Sequence, residues 1–202
     1  MMRRLVDCIF ALSLLVLTGP LLLLISILIK LDSSGPVLYT PEMIGKNGRV
    51  FRLFRFRTMH VGSSSVSSQK RLTRVGSFLR DYSLDHLPML LNLLKSDLTI
   101  IGPRPMEREI VDMQSLSWQE YFQVKPGILN VAVLKLGKAW TPTRTSHPML
   151  NQELELEYLK ERSTRSDLKL FWKALQAYFW SRGNIKARGE PDPSVKHRVN
   201  KW

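Results

Sequence analysis

The stretch GSFLRDYSLDHLPMLLNLLKSDLTIIGPRP, Gly76 to Pro105, is the most informative part of this 202-residue chain. Leucines recur in it at helical spacing, which predicts a helix with one buried face. The residues of that face are Leu84, Leu87, Leu91 and Leu94. Because proline is harmless only in the first turn of a helix, Pro88 places the predicted start near Asp85. A carboxylate there lies at the positive end of the helix dipole and is expected to stay ionised at neutral pH.

Asp85 is the candidate nucleophile of this stretch, although an aspartate at a helix start is more often only an N-cap. Downstream, Gly102-Pro103-Arg104-Pro105 predicts a rigid turn, because two prolines fix the backbone on either side of Arg104. A guanidinium group presented in this way suits bidentate contact with a phosphate. A carboxylate at Asp85 followed by a rigid arginine turn at Arg104 indicates phosphate chemistry. His86, the neighbour of Asp85, is the second candidate catalytic residue.

Upstream of this stretch the pattern indicates short strands, at Val37 to Tyr39 and at Val50 to Thr58, joined by the hairpin-type turn Lys46-Asn47-Gly48. In the second strand two phenylalanines alternate with two arginines, Phe54 and Phe56 with Arg55 and Arg57. This alternation predicts aromatic rings on one face and a solvated basic face on the other. The serine-rich segment from Val61 to Gln69 is predicted to be a loop that offers nothing to bind a metal.

The N-terminal segment carries no charged side chain from Cys8 to Ile29, about the length needed to cross a hydrocarbon core. A signal peptide fits poorly, because the run is long and no small-residue cleavage site follows. Gly19-Pro20 at its midpoint bends or breaks a simple spanning helix. Since basic residues flank the segment on both sides, both ends favour the cytosolic face. We therefore favour a re-entrant hairpin, broken at Pro20, over a single span.

The charge of the chain predicts an anionic partner, because the sequence has 30 lysines and arginines and only 17 acidic residues, a formal net charge of +13. Nucleic acid, an acidic lipid surface and a phosphorylated substrate would each satisfy it. We expect no nucleic acid, because the sequence has no zinc-ligand spacing and no aromatic RNA-binding signature. An anionic membrane surface accounts for the same charge. The single cysteine, Cys8, allows no intrachain disulfide and fits a reducing, cytosol-facing environment.

The C-terminal third predicts an acidic helix from Asn151 to Glu161 and an amphipathic helix from Ser166 to Trp180. The apolar stripe of the second helix comprises Leu168, Phe171, Trp172, Leu175 and Phe179. It fits the lipid headgroup zone, as Trp172, Tyr178 and Trp180 also suggest, or an ordinary core-facing helix. We divide the chain into a membrane anchor at 1–31, a catalytic-type domain at 32–182 and a basic tail at 183–202. The predicted class is α+β, mostly helical, with a short β-hairpin.

The ordered motifs of the chain resemble those of the bacterial sugar transferases, small monotopic phosphoglycosyl transferases, from about Arg3 to about Leu170. The residues that carry the resemblance are Arg3-Arg4 with Asp7, Pro20, Gly35-Pro36-Val37, Gly45-Lys46-Asn47-Gly48, Phe56-Arg57-Thr58-Met59, Ser83-Leu84-Asp85, Leu93-Leu94-Lys95 with Asp97, Gly102-Pro103-Arg104-Pro105 and Lys125-Pro126-Gly127-Ile128. So many matches in order identify the chain as resembling this family over most of its length.

The resemblance implies a re-entrant anchor, a small cytosolic domain and amphipathic interfacial helices at the cytoplasmic face of the bacterial inner membrane. It implies that Asp85 attacks the β-phosphate of a nucleotide diphosphosugar and that polyprenyl phosphate then takes the sugar phosphate. Phosphate binding would fall to Arg104, with Arg55 and Arg57 on the same basic surface. Lys95 is a weaker candidate that would otherwise only cap a helix end. The sequence leaves open a homo-oligomer.

Several residues depart from the family pattern, which has Glu immediately after the nucleophile and uses that acidic pair with Mg²⁺. Here the position is His86, so Mg²⁺, for which Asp85 is the candidate ligand, loses one oxygen ligand. Pro41-Glu42-Met43 and Leu129-Asn130-Val131 also depart from it. Two hypotheses follow: a working transferase that tolerates His86, which we favour, or a catalytically impaired relative that acts as a membrane-bound partner or regulator of another sugar transferase.

Overall fold

The computed structural model describes residues 2–62, 71–130 and 148–183 of the chain. The predicted serine-rich loop beyond Gly62 and the predicted tail beyond Gly183 lie outside these residues. The chain divides into two compact units. The first comprises Met1–Met43 and Phe51–Asp97, and the second comprises Ile44–Val50 and Leu98–Trp202. The class is mostly helical α+β, as predicted.

Helix α1 (Met2–Asp32) opens the first unit and runs through Pro20 without interruption. Among the described residues it is the one helix long and apolar enough, by length and composition, to cross a membrane. The hydroxyls of Thr18 and Ser26 donate to carbonyls one turn back, over 2.6 and 2.7 Å, so two polar side chains of the apolar helix are satisfied within it. This helix associates the chain with a membrane. It shows no break at Pro20, where we expected one, and the re-entrant path remains a prediction.

Helix α1 has some side chains buried in the core of its unit and many large apolar side chains exposed. Ile25 and Ile29 are buried in a cluster with Phe56 and Leu79, so the helix completes the core of its own unit. The large apolar side chains that α1 leaves exposed are Leu5, Val6, Ile9, Leu12, Val16, Leu17, Leu21, Leu23, Leu24, Ile27, Leu28 and Leu31. An exposed apolar surface of this extent fits a bilayer and not water.

The short strands of the chain pair differently from the prediction. β1 (Leu38–Tyr39) pairs antiparallel with β4 (Arg55–Phe56), with Leu38 opposite Phe56 and Tyr39 opposite Arg55. The turn Lys46–Gly48 instead joins β2 (Glu42–Ile44), a strand that the sequence did not predict, to β3 (Val50–Arg52). The predicted strand from Val50 to Thr58 is therefore two strands, because the chain leaves the first hairpin after Arg52.

Helix α2 (Arg74–Asp81) begins at an N-cap, Thr73, whose hydroxyl accepts from the Gly76 N–H over 2.8 Å. Gly76 lies against the backbone of Thr58, and a Cβ at Gly76 would overlap the Thr58 carbonyl. Glycine is thus the residue that allows α2 to approach the end of the β4 strand so closely.

Helix α3 (Met89–Lys95) begins later than predicted, and Leu84–His86 forms a separate 3-10 turn before it. Pro88 directly precedes the first residue of α3, as its missing N–H requires. The predicted leucine stripe was partly right: Leu84 and Leu87 pack against the core cluster of the unit, but the 3-10 turn breaks the helical period before α3. The buried residues of α3 are Met89, Leu90, Asn92 and Leu93, while Leu91 is exposed.

A buried amide ties α3 to the strands. The Asn92 side chain accepts from the Phe54 N–H over 2.9 Å and donates to the Arg52 carbonyl over 2.7 Å and to Asp97 Oδ2 over 3.1 Å. These bonds satisfy the Arg52 carbonyl at the end of β3 and the Phe54 N–H that follows it. Asn92 thus positions the segment that delivers Arg55.

The second unit carries β5 (Thr99–Ile101), parallel to β7 (Gly127–Leu129), and the short strand β6 (Met106–Glu107). Its helices are α4 (Leu116–Tyr121), α5 (Pro148–Lys160) and α6 (Thr164–Gly183). The core of this unit comprises Ile44, Met106, Trp118, Tyr121 and Phe122. Between β5 and β7, a Cβ on Gly127 would meet the Gly102 Cα at 2.6 Å, so both positions exclude a side chain. Leu168, Trp172 and Leu175 of the predicted α6 stripe are exposed.

Candidate active site

Asp85 lies in the 3-10 turn Leu84–His86, directly after Ser83, which adopts the left-handed conformation with φ 56°. This reversal turns the chain out of α2 and points the next residues back at the strands. Asp85 is 7% exposed, so its carboxylate is buried and not on the open end of a helix. The expected helix-start environment was wrong, because α3 begins only at Met89.

Two guanidinium groups of the first unit act on Asp85. Arg55 comes from β4 and Arg80 from α2, and each lowers the pKa of the Asp85 carboxyl. Burial has the larger effect and raises that pKa above its usual value, because the ionised form loses water. The site is therefore a desolvated carboxylate whose charge is stabilised by two nearby guanidinium groups.

Arg80 is the residue of this site that the sequence analysis missed. Its Nε donates to the Thr58 hydroxyl over 2.9 Å, which fixes the guanidinium group on the side of α2 that faces the strands. Burial lowers the pKa of Arg80, and the negative charge of Asp85 opposes this shift. The sequence shows that Arg80 interrupts the buried side of α2. No feature of the sequence distinguishes it from a solvated arginine.

His86 lies next to the carboxylate, with its Nε2 at 3.8 Å from Asp85 Oδ2. At this distance the protonated imidazole would form an ion pair with Asp85. The structure thus brings together three of the predicted or newly found groups around Asp85: His86, Arg55 and Arg80.

Arg57 lies elsewhere in the first unit and is buried, so the predicted solvated basic face of its strand was wrong. Its two Nη atoms donate to the carbonyls of Ser34 and Ser33, over 2.8 and 2.7 Å, and to the Ser33 hydroxyl over 2.8 Å. These residues directly follow α1, so a cation satisfies carbonyls at the negative end of that helix. The geometry gives Arg57 a structural task, and phosphate binding by Arg57 remains a prediction.

Lys95 ends α3 and is exposed. Its Nζ lies 5.2 Å from the centroid of the Phe54 ring and 4.0 Å from Asp97 Oδ2. Substrate contact by Lys95 and its alternative role at the helix end both remain predictions.

Arg104 belongs to the second unit and lies in the turn that follows β5. Its carbonyl accepts from the Tyr121 hydroxyl over 2.7 Å, and the Pro103 carbonyl accepts from the Gly127 N–H over 2.8 Å, so the turn is held on both sides. Burial lowers the pKa of Arg104, whereas Glu155 and Glu107 favour its charged form. Glu155 is itself fully buried on α5. The guanidinium group thus lies beside a carboxylate of its own unit.

Mg²⁺ takes oxygen ligands and usually needs one or two carboxylates besides substrate phosphates. The groups around Asp85 are two guanidinium groups and an imidazole, which repel a divalent cation or serve it poorly. In the described part of the chain no group of three or more His, Cys, Asp or Glu side chains could hold a metal ion. This donor set does not fit Mg²⁺.

The family model of the bacterial sugar transferases matches residues 1–181 of the chain. The UDP-glucose:undecaprenyl-phosphate glucose-1-phosphate transferase of Caulobacter vibrioides is 35% identical over 179 residues, 83% of this chain and 66% of the relative. The UDP-N-acetylgalactosamine-undecaprenyl-phosphate N-acetylgalactosaminephosphotransferase of Aeromonas hydrophila is 33% identical, over 86% of this chain and 43% of the relative.

A shorter relative matches over most of its length: the exopolysaccharide production protein ExoY of Sinorhizobium fredii is 28% identical, over 90% of this chain and 87% of that protein. The chain spans less than two thirds of the length of the Caulobacter and Aeromonas relatives. The match of the family model to nearly the whole chain agrees with the motifs and with the buried carboxylate. The chain belongs to the bacterial sugar transferase family.

Proposed function

We propose that this chain is a phosphoglycosyl transferase, which moves a sugar phosphate from a nucleotide diphosphosugar to a polyprenyl phosphate such as undecaprenyl phosphate. The observation that carries the proposal is Asp85, a buried carboxylate whose pKa both Arg55 and Arg80 lower. The relatives from Caulobacter and Aeromonas are named for transfers of this kind to undecaprenyl phosphate. We place the reaction at the cytoplasmic face of the membrane, where basic flanks of α1 would remain.

The first step is attack by an Asp85 carboxylate oxygen on the β-phosphorus of the donor. A bond forms between that oxygen and phosphorus, and the bond from phosphorus to the α-phosphate oxygen breaks. The nucleoside monophosphate leaves with the electron pair, and a sugar phosphate stays on Asp85 as an acyl phosphate. A carboxylate with a raised pKa is a better nucleophile than a solvated one once it is ionised, so burial of Asp85 serves this step.

The second step returns the enzyme to its starting state. A phosphate oxygen of the polyprenyl phosphate attacks the same phosphorus, the bond to Asp85 breaks, and a polyprenyl diphosphosugar leaves. The carboxylate is released with the electron pair that it first donated. No net proton transfer is needed when all phosphate oxygens are ionised.

Fixed cations would stabilise the charge that builds up on the transferring phosphoryl group. Arg55 and Arg80 occupy this role in the first unit, and protonated His86 would add a third positive charge. We propose Arg104 as a further phosphate ligand, because hydrogen bonds hold its turn on both sides. These assignments need no group beyond the side chains of the chain.

The test is incubation of the full chain, reconstituted in bilayers, with radiolabelled UDP-glucose or UDP-N-acetylgalactosamine and undecaprenyl phosphate. We expect labelled lipid, and in the absence of lipid acceptor a sugar-phosphate adduct on the peptide that contains Asp85. Asp85→Asn should abolish both, whereas Asp81→Asn, at an exposed carboxylate four residues upstream, should abolish neither. Unchanged lipid labelling by Asp85→Asn would refute the assigned nucleophile.

A further inference from the structure

A cluster of polar side chains lies where α5 and α6 are joined, within the second unit. Arg162 follows α5 and precedes α6, and its Nε lies 3.5 Å from Asp167 Oδ1. The Tyr158 hydroxyl donates to the same oxygen, and the Arg162 guanidinium carbon lies 5.9 Å from the centroid of the Tyr158 ring. The side chains of Arg162 and Asp167 are only 12% and 13% exposed. These three residues form the Arg162 cluster, in which a cation and a carboxylate are largely shielded from water.

Arg162 also bonds to the strand that leads to the Arg104 turn. Its Nη2 donates to the Ile101 carbonyl over 2.7 Å, and Ile101 is the last residue of β5. The N–H of the next residue, Gly102, donates to the Leu129 carbonyl of β7 over 3.1 Å. The peptide group between Ile101 and Gly102 is therefore bonded through its carbonyl to Arg162 and through its N–H to β7. This pair of bonds fixes the plane of the peptide group.

The same peptide group sets the direction in which the turn leaves β5. Gly102 has no Cβ and would otherwise allow several orientations of the chain. The rings of Pro103 and Pro105 fix their φ angles, so a rotation at Gly102 is passed on to Arg104 between them. Hydrogen bonds from a charged donor are roughly twice as strong as neutral ones. The bond from Arg162 therefore limits the rotation that would displace the Arg104 guanidinium group.

The other two residues of the Arg162 cluster hold Arg162 in place. An arginine side chain loses conformational freedom when it is fixed, and a shielded cation without a carboxylate is costly. Asp167 supplies that carboxylate. Burial and the hydrogen bond to Asp167 raise the pKa of Tyr158, so its hydroxyl stays protonated and keeps donating at neutral pH. Tyr158 thereby orients Asp167, and Asp167 orients Arg162.

We propose that Arg162 is a positioning residue of the transferase, which fixes the peptide group between Ile101 and Gly102 and so directs the Arg104 side chain at a phosphate. Arg162 acts through the backbone, because its own guanidinium group is engaged with Asp167 and the Ile101 carbonyl. The effect on turnover rests on the proposed function, in which Arg104 binds phosphate. The effect on the Arg104 turn does not rest on it.

The first test measures the mobility of the turn by hydrogen exchange and mass spectrometry, with the full chain in bilayer nanodiscs. Arg162→Met removes the donor to the Ile101 carbonyl, and Arg165→Met removes an exposed arginine near the start of α6 as the matched control. We expect Arg162→Met to speed exchange in the segment 99–104 and to leave the segment 116–121 of α4 unchanged. The control should change neither segment.

Arg162→Lys gives a second reading of the same two segments. It keeps a cation beside Asp167 but lacks the planar fork that serves two acceptors, so it should also speed exchange at 99–104. This variant decides the question if Arg162→Met does not fold. Unchanged exchange at 99–104, or an equal increase at 99–104 and 116–121, would overturn the proposal, because the second pattern is a general loss of structure.

The second test reads the effect on turnover in a double-mutant cycle with Arg104→Lys. The substrate is UDP-glucose or UDP-N-acetylgalactosamine, whichever labels lipid. Alone, Arg162→Met should lower kcat/KM by about 10-fold to 10²-fold, because displacing a positioned group costs that much. In the Arg104→Lys background it should lower kcat/KM by less than about threefold, since the group that Arg162 positions is then already altered.

An equal loss of kcat/KM in both backgrounds would show that Arg162 does not act through Arg104 and would overturn the proposal. Faster exchange confined to 99–104, in a chain that turns over no nucleotide sugar, would support the effect of Arg162 on the turn and refute only the proposed function.

Discussion

Among single residues, Asp85 combines a functional position with a cost to stability. Burial raises the pKa of its carboxyl above the unfolded value, so the fold favours the protonated form. The stabilising contribution is then full below the unfolded pKa, about 3.9, and is lost as the pH rises through the folded pKa. At neutral pH the ionised carboxylate therefore costs folding free energy, as active-site residues often do.

Because the raised pKa of Asp85 destabilises the fold at neutral pH, Asp85→Asn should raise the Tm at pH 7, since the amide mimics the protonated acid. Transferase activity should fall by at least about 10³-fold. Thermal unfolding in detergent, followed by circular dichroism, measures the change. The difference in Tm between Asp85→Asn and the natural sequence should shrink as the pH falls, since the Asp85 carboxyl is then increasingly protonated. Asp81→Asn, at an exposed position, serves as the control and should leave the Tm unchanged. A lower Tm for Asp85→Asn would contradict the prediction.

Arg80 predicts a shift in the pH dependence of turnover. Its positive charge lowers the pKa of Asp85, so Arg80→Met should raise that pKa further and move the acidic limb of the pH–rate profile to higher pH. Rates measured between pH 4 and 8 in reconstituted bilayers would show it. Arg74→Met removes an exposed arginine from the same helix and should leave the limb in place. An identical limb in both variants would exclude Arg80 from the site.

His86 predicts how the site responds to metal. The groups around Asp85 do not fit Mg²⁺, so activity of the natural sequence should persist when EDTA replaces Mg²⁺ in the assay. His86→Glu restores an oxygen ligand beside Asp85 and should introduce a dependence on Mg²⁺. The matched control is His86→Gln, which removes the imidazole without adding a carboxylate. Complete loss of wild-type activity in EDTA, regained with Mg²⁺, would contradict this expectation.

Among elements, α2 depends on a close approach to the strands. Gly76 lies against the Thr58 backbone, so Gly76→Ala forces the helix away from it. We expect a loss of about 1–3 kcal/mol in the free energy of unfolding, together with weaker placement of Arg80. Ser77→Ala, at the exposed neighbour, should change stability by less than about 0.5 kcal/mol. Chemical denaturation of the two variants in detergent provides the comparison, and equal midpoints would refute the close approach.

The elements also show how far local sequence patterns extend. Pro88 correctly limited where α3 can begin, because a missing N–H is a local property. The leucine spacing was only partly right, since the 3-10 turn at Leu84–His86 shifts the period and depends on the left-handed Ser83. The pairing of β1 with β4 was also missed, because strands of two residues carry too little pattern to specify a partner.

At the scale of the molecule, α1 serves the protein core as well as the membrane. Ile29 is buried in the cluster of its unit, whereas Leu28 beside it is exposed. Ile29→Ala should therefore lower the free energy of unfolding by about 2–5 kcal/mol, while Leu28→Ala should change it little. Unfolding in detergent, monitored by tryptophan fluorescence, distinguishes the two. Equal destabilisation would show that α1 packs as a membrane helix only.

The candidate site was predictable in part. Asp85, His86 and Arg55 were found from the sequence, because each lies in or beside a motif with a chemical purpose. Arg80 and Asn92 were missed, since their tasks depend on contacts across 22 and 40 residues with Thr58 and Arg52. Arg57 appeared to be a surface cation until the structure showed its bonds to the end of α1. Long-range hydrogen bonds of this kind leave no local pattern.

The contact between Gly102 and Gly127 has a consequence for the history of the sequence. Each backbone occupies the space that a methyl group on the other would need, and no amino acid is smaller than glycine. Neither position can therefore drift while the two strands keep their spacing, and a compensating change in the partner is impossible. Descendants of this chain should keep both glycines long after the residues around the substrate have diversified.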